Sequence, residues 1–169
     1  MGAQSGGSGR VGNVLFGLTS VLALALMAAI GQSTLPPGTA LLKPIQVSDT
    51  AMSPTLTRGM LVIAYRLSGD LQRGDLVVYS AREGAVMPGR IIGLPGDVIE
   101  TRAGKLTLNS TPANEPYVRD PIKYDVGPIA VDPGSYYVLG DNRNESSEDS
   151  HASGSIPRER ILARLRPIG

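Results

Sequence analysis

The sequence contains no cysteine and only one histidine, His151. Without cysteine the chain forms neither disulfide bonds nor thiolate metal sites, and one histidine cannot by itself supply a histidine-rich metal centre. The formal net charge is +1, and the basic residues are spread along the chain, so no strongly basic surface attracts nucleic acid. We therefore expect no cofactor, no metal and no nucleic-acid partner.

The nearest approach to a metal-binding pattern is an acidic stretch between residues 141 and 151. It contains Asp141, Glu145, Glu148, Asp149 and His151. A calcium-binding loop places ligands at alternate positions around a turn glycine, and this spacing does not match that pattern. The stretch is therefore interpreted as a solvated acidic loop.

One long apolar segment lies near the N-terminus. Residues 11–31 carry no charge, and roughly twenty such residues are enough for a helix to cross the bilayer. We predict a transmembrane anchor here, preceded by a short cytoplasmic tail of residues 1–10. Arg10 precedes the segment and no positive charge follows it directly, which favours an outer location for the rest of the chain. A cleaved secretory signal is the alternative, because alanine-rich residues end the segment.

Residues 32–169 have the pattern of a mainly β domain. Short apolar runs alternate with Gly/Pro turns, which is typical of an all-β sandwich or barrel. Residues 111–133 are rich in Pro and Asp and are expected to form a loop or an extended excursion, whereas residues 157–165 suit either a helical turn or a last strand. The predicted strands are residues 61–65, 76–79, 90–94, 98–101, 105–109 and 136–139.

Four sequence boxes in this domain resemble those of the type I signal peptidases. Each is weak alone, since Arg-Gly-Asp and Pro-Gly-Asp are ordinary turn sequences, but their order and their position behind a predicted anchor are specific. The boxes are residues 52–56 (MSPTL), 73–79 (RGDLVVY), 90–97 (RIIGLPGD) and 140–143 (GDNR), the last followed by residues 149–151 (DSH).

The resemblance implies a β-rich catalytic fold on the outer membrane face, with a Ser/Lys dyad that cleaves signal peptides from pre-proteins after small residues. In such a dyad a serine hydroxyl attacks only when a base removes its proton. A lysine serves as that base only if burial lowers its pKa. An oxyanion site must also stabilise the charge on the attacked carbonyl.

The residues that the resemblance assigns to these roles are absent. The nucleophile position, directly before the first box, is Ala51, and the base position, directly before the third box, is Gly89. The oxyanion-side position is Asp49, whose carboxylate would repel a developing oxyanion. Ser53 is the natural substitute nucleophile, but the family has a variable residue there.

The other candidate catalytic groups fit the family pattern no better. The three lysines, Lys43, Lys105 and Lys123, lie outside the boxes. His151 is expected to be a structural partner for an acidic residue of the fourth box. In the family this box also supplies a serine that assists the site, here called the helper serine. The box carries one extra residue before Asp149, so the helper serine is either Ser146 or Ser147. Its other expected structural residues are Asp141, Asn142, Arg143 and Ser150, and Ser147 is the serine assigned with them.

The turn residues of the boxes are intact although the reactive residues are gone, which indicates a retained fold with a changed role. The first hypothesis is an inactive, membrane-anchored protein that binds an extended peptide, a pre-protein or a secretory partner. The second is an active signal peptidase with noncognate residues, and the third is a structural subunit of a membrane complex. The expected peptide-binding groove consists of Thr50, Ala51, Met52, Ser53, Gly89 and Arg90.

Overall fold

The structure, a computed structural model, describes residues 43–82 and 84–168. The predicted cytoplasmic tail and transmembrane anchor, residues 1–10 and 11–31, lie outside the described residues. Within the described residues, no helix combines the length and the hydropathy needed to cross a membrane.

Eleven strands are the main regular structure of the described residues. One short helix, α1 (Ser150–Ser153), and a 3-10 helix (Arg158–Arg160) interrupt them. The strands are β1 (Lys43–Gln46), β2 (Leu61–Tyr65), β3 (Leu76–Ser80), β4 (Val86–Gly93), β5 (Val98–Arg102), β6 (Lys105–Leu108), β7 (Thr111–Pro112), β8 (Val126–Ala130), β9 (Ser135–Leu139), β10 (Ile156–Pro157) and β11 (Ile161–Pro167).

The strands form two sheets, and every neighbouring pair is antiparallel. The larger sheet has seven strands in the order β1-β2-β11-β3-β4-β9-β10, and the smaller has four in the order β7-β6-β5-β8. The β4 strand lies in the larger sheet and continues through a turn into β5 of the smaller one. The predicted mainly β class is therefore confirmed.

Two turns show why the chain reverses where it does. Ala103 and Gly104 both have positive φ, 50° and 79°, which is the geometry of the tight turns that join hairpin strands such as β5 and β6. The turn before β5 is closed by Asp97, whose carboxylate accepts a hydrogen bond from the Leu94 N–H at 2.6 Å. Burial alone would raise the pKa of Asp97, but hydrogen bonds from Leu94, Asn109 and Arg73 outweigh it and lower the pKa below its ordinary value.

Three hydrophobic clusters form the core. One lies on one face of β3 and β4 around Val77, Tyr79 and Ile91. The second lies between the first box and β2, β3 and β11, around Met52 and Leu56, both fully buried. The third packs residues of the smaller sheet against Ile92 of β4 and against Tyr137 and Leu139 of β9. The two-residue period of the strands explains this arrangement, because successive side chains point to opposite faces.

The stretch from residue 111 to 133 is more ordered than the sequence predicted. It contains β7 and β8, and β8 pairs with β5. The sequence did not predict β8 because this strand contains Gly127 and Pro128, both of which weaken a strand signal; the residues between β7 and β8 do form a loop. Pro is tolerated here because β8 is an edge strand of its sheet. Residues 157–165, for which the sequence suits either a helical turn or a strand, contain both: the 3-10 helix followed by β11.

Candidate functional site

The first box is held by its backbone against the turn that follows β9. The Asn142 N–H donates to the Ala51 carbonyl oxygen at 2.9 Å, and the Asn142 side-chain amide donates to the Thr50 carbonyl oxygen at 3.2 Å. An added Cβ on Gly140 would lie 2.5 Å from the Ala51 oxygen. Glycine at position 140 therefore permits a backbone approach that any side chain would block.

Ala51 is buried, and its N–H group is already bonded. The N–H donates to Oδ1 of Asp49 at 2.9 Å, and the residue is 5% exposed. The N–H of a nucleophile is a common oxyanion donor in acyl-transfer enzymes. In this chain the Ala51 N–H, at the nucleophile position, already donates to the Asp49 carboxylate.

Gly89 lies in β4 with no space beside its Cα. An added Cβ would approach Cγ1 of Val138 to 2.5 Å and Cε1 of Tyr79 to 2.9 Å. Both side chains are essentially fully buried, and the Tyr79 hydroxyl donates to the Glu148 carbonyl oxygen at 3.2 Å. Val138 and Tyr79 therefore fill the space that a side chain at position 89 would need.

The two positions contact one continuous segment, residues 138–142. Gly89 faces Val138 and Leu139, and Ala51 contacts Gly140 and Asn142. The structure therefore brings both positions to the same short stretch of chain.

A buried ion pair fixes the middle of β4 next to this segment. The Arg90 guanidinium donates to both carboxylate oxygens of Asp141, with Nε–Oδ1 and Nη2–Oδ2 distances of 2.8 and 2.6 Å. Thr55 also donates to Asp141, whose side chain is fully buried, and the guanidinium lies 3.9 Å from the ring centroid of Tyr117. These contacts tie the first, third and fourth boxes together.

The remaining fourth-box residues also have structural roles. Arg143, whose side chain is fully buried, pairs with Glu115 and donates from Nε to the Gly140 carbonyl oxygen at 3.0 Å. The Ser150 hydroxyl accepts a hydrogen bond from the Val138 N–H at 2.8 Å. These side chains hold the segment that contacts Ala51 and Gly89.

Asp149 distinguishes the two candidate helper serines. Burial raises its pKa, while hydrogen bonds from Ser146 and from the N–H groups of Gly140 and His151 oppose the rise. The Ser147 side chain is exposed and makes no hydrogen bond within the described residues. Ser146 therefore occupies the place next to Asp149 that the sequence assigned to Ser147.

His151 meets the expectation of an acidic partner only through its backbone. Its N–H donates to Oδ1 of Asp149 at 3.0 Å, which caps the start of α1. Its imidazole stacks on the ring of Tyr124 at a centroid distance of 3.6 Å. The ring is therefore a packing group.

An apolar groove runs between the chain that follows β1 and the first half of β4. It encloses a cavity of about 70 Å³. The residues expected to form it do not line it: Met52 is fully buried in the core and Arg90 is paired with Asp141. The lining residues are Ile45, Gln46, Val47, Ser48, Asp49, Val62, Val78, Val86, Pro88 and Leu165.

The two-residue alternation of side chains along a strand is the sequence signal that could have located this groove. Period-two alternation in β4 puts Pro88 on the opposite face from Gly89, towards the apolar cluster around Met52. The same reasoning applied to the residues just before the first box would have selected Val47 and Asp49.

The family model described as signal peptidase, peptidase S26, matches residues 16–168. The chain belongs to this family. Among relatives, signal peptidase I from Leptolyngbya laminosa is 32% identical over 157 residues, which cover 88% of this chain and 73% of that protein. Signal peptidase I from Bacillus licheniformis is 34% identical over 135 residues, 72% of this chain and 73% of that protein.

Two further comparisons cover a smaller share of one of the two chains. Thylakoidal processing peptidase 1 from Arabidopsis thaliana is 35% identical over 177 residues, and the match covers 96% of this chain but 51% of that protein. A solved signal peptidase I from Enterococcus faecalis is 26% identical, with a TM-score of 0.49, and covers 59% of this chain and 100% of the solved one.

A Ser/Lys signal peptidase dyad needs a buried lysine, and the described residues contain none. Lys43, Lys105 and Lys123 are the only lysines of the chain, and all three are exposed. None of the three therefore lies in the apolar surroundings that make a lysine a general base.

Ser53, the candidate substitute nucleophile, lies away from the groove. It lines a separate small polar cavity of about 40 Å³ together with Arg119, Asp120 and Arg143. It makes no side-chain hydrogen bond to a basic group within the described residues. The described residues also contain no group of three His, Asp or Glu side chains placed to hold a metal ion.

Proposed function

We propose that this signal peptidase-like protein binds an extended peptide in the groove between β1 and β4 and does not cleave it. The observation that carries the proposal is the filled space at Gly89, where an added Cβ would lie 2.5 Å from Val138. A lysine cannot occupy that space unless the core moves. Because Ala51 also has no hydroxyl, the site lacks both partners of the dyad.

The Asp49 carboxylate is a further obstacle to catalysis. It accepts a hydrogen bond from the Ala51 N–H, the group best placed to stabilise an oxyanion. An oxyanion there would have to displace a carboxylate of the same charge. The contact thus opposes the transition state of peptide-bond hydrolysis, while it leaves the ground-state binding of a peptide possible.

Two strand edges beside the groove support peptide binding. Within the described residues β1 pairs only with β2. Residues 86–88 of β4 pair only with β3, because β9 joins β4 from Arg90 onwards. Free backbone N–H and C=O groups at such edges accept an added strand, and pockets for alternate side chains then give specificity. The 70 Å³ cavity between the edges provides such a pocket.

The proposed setting is a membrane. The uncharged segment of residues 11–31 is long enough to span the bilayer and lies shortly before β1, the first strand of the groove. With residues 1–10 in the cytoplasm, the groove lies on the outer face, where a peptide emerging from the membrane or the extended segment of a pre-protein would reach it.

Hydrogen–deuterium exchange of the full chain in detergent tests the proposal. A pre-protein signal peptide is added, and amide protection is followed along the chain. We expect slower exchange in residues 44–49 and 86–88 and an intact peptide at the end. Protection confined to other segments, or no protection at a peptide concentration that saturates a relative, would contradict the proposed groove.

A further inference from the structure

We infer that the groove selects peptides that present a basic side chain, and that Asp49 is the residue that determines this specificity. The inference rests on the proposed function, since it names the class of peptide that the groove takes. It follows from the cavity wall, the hydrogen bonding of Asp49 and the charges around it.

The cavity wall suits the stem of a long basic side chain. Most of its lining is aliphatic, with Val47, Val62, Val78 and Leu165 on the side of the second core cluster. Lysine and arginine bury their methylene stems against such surfaces while the charged end reaches a polar group.

Asp49 provides that polar group. It lines the same cavity and is partly buried. Its Oδ1 accepts from the Ala51 N–H, and Oδ2 has no hydrogen-bond partner within the described residues. No arginine or lysine of residues 43–82 and 84–168 forms an ion pair with it. A partly buried carboxylate without a cation favours a ligand that supplies one.

The only charge on the cavity wall is negative. Among the described residues that line the cavity, Asp49 is the one with a charged side chain. No basic side chain lies beside it there. Such a wall attracts a cationic side chain and repels an acidic one.

Binding of three matched peptides to the full chain in detergent tests the inference. Each peptide is blocked at both ends and alternates alanine with threonine around one central residue: lysine, norleucine or Nε-acetyl-lysine. Norleucine has a comparable apolar stem without the charge, and acetyl-lysine keeps the length without the charge. We expect the lysine peptide to bind about fivefold more tightly than the other two.

Two charge-removing variants locate the effect. Asp49→Asn keeps an oxygen for the Ala51 N–H and should abolish the preference for lysine. Asp132→Asn removes the same charge from an exposed position outside the cavity and should retain the preference. In the unaltered chain, added salt should reduce the preference as well, which gives a readout that needs no variant.

The possible failures are distinguishable. Three outcomes would overturn the inference and leave the proposed function standing. They are equal affinity of the three peptides, a lysine preference that survives Asp49→Asn, and a lysine preference that does not change with salt. Absence of binding by all three peptides would contradict both.

Discussion

Replacement of Gly89 by alanine tests the claim that the base position is closed. The added Cβ would lie 2.5 Å from Val138 Cγ1 and 2.9 Å from Tyr79 Cε1. Neither contact can be relieved by a flexible side-chain end, because Val138 is short and branched and both residues are buried in one cluster. The substitution therefore has to displace the core of the larger sheet.

The expected cost follows from two opposing terms. Overpacking of a core typically destabilises a protein by about 1–3 kcal/mol. Gly→Ala also restricts the unfolded chain, which returns about 0.4–1 kcal/mol where the backbone conformation is allowed, as it is at position 89, where φ is not positive. We expect a net loss of about 1–2 kcal/mol, or a Tm about 4–8 °C lower for a domain of this size.

Differential scanning calorimetry of the full chain in detergent measures the shift. Gly127→Ala is the matched control, because Gly127 also lies in a strand but an added Cβ there meets nothing within 4 Å. Its Tm should be unchanged or slightly higher. A Gly89→Ala variant as stable as the control would show that position 89 has room for a side chain, and the reasoning for a closed base position would fail.

Three further predictions concern the ion pair, a turn and the dyad. Asp141→Asn should lower the free energy of unfolding, measured in urea, by about 3 kcal/mol, because it leaves the buried Arg90 guanidinium without its charge partner. The control Asp132→Asn should change that free energy by under about 0.5 kcal/mol. Similar values for the two variants would refute the structural role of the Arg90–Asp141 pair. The folded-state pKa of Asp97 is lowered from 3.8, so its stabilisation is present above that pH and is lost as the pH falls through the folded value. Asp97→Asn should therefore be less stable than the unaltered chain at pH 6 and approach it in strong acid, and a difference that does not depend on pH would be contrary to this. Ala51→Ser combined with Gly89→Lys should not release a signal peptide, as judged by mass spectrometry, and regained cleavage would show that the core makes room for the amine.

Much of the larger sheet could be predicted from the sequence because its strands are locally consistent. The runs at residues 61–65 and 76–79 combine β-branched residues with flanking turns, and both are strands within one residue of the predicted bounds. By contrast β1 and β8 contain Pro44 and Pro128. Edge strands tolerate proline, and whether a strand lies at an edge depends on the whole sheet.

The boxes name Ala51 and Gly89, and the structure shows that both contact residues 138–142. The groove could not be predicted in the same way. The groove residues depend on which face of β4 each side chain occupies, so Pro88 was missed although its neighbour was named. The choice between Ser146 and Ser147 depended on an extra residue, whose placement is set by three-dimensional packing around Asp149.

The most direct measurement follows a pre-protein in time by mass spectrometry. The full chain in detergent is incubated with the pre-protein, beside the Bacillus licheniformis signal peptidase I as the reference. The account predicts a stable complex and an uncut pre-protein in the first sample. A mature product that begins directly after a small residue, formed by this chain and lost in Ser53→Ala, would contradict this prediction.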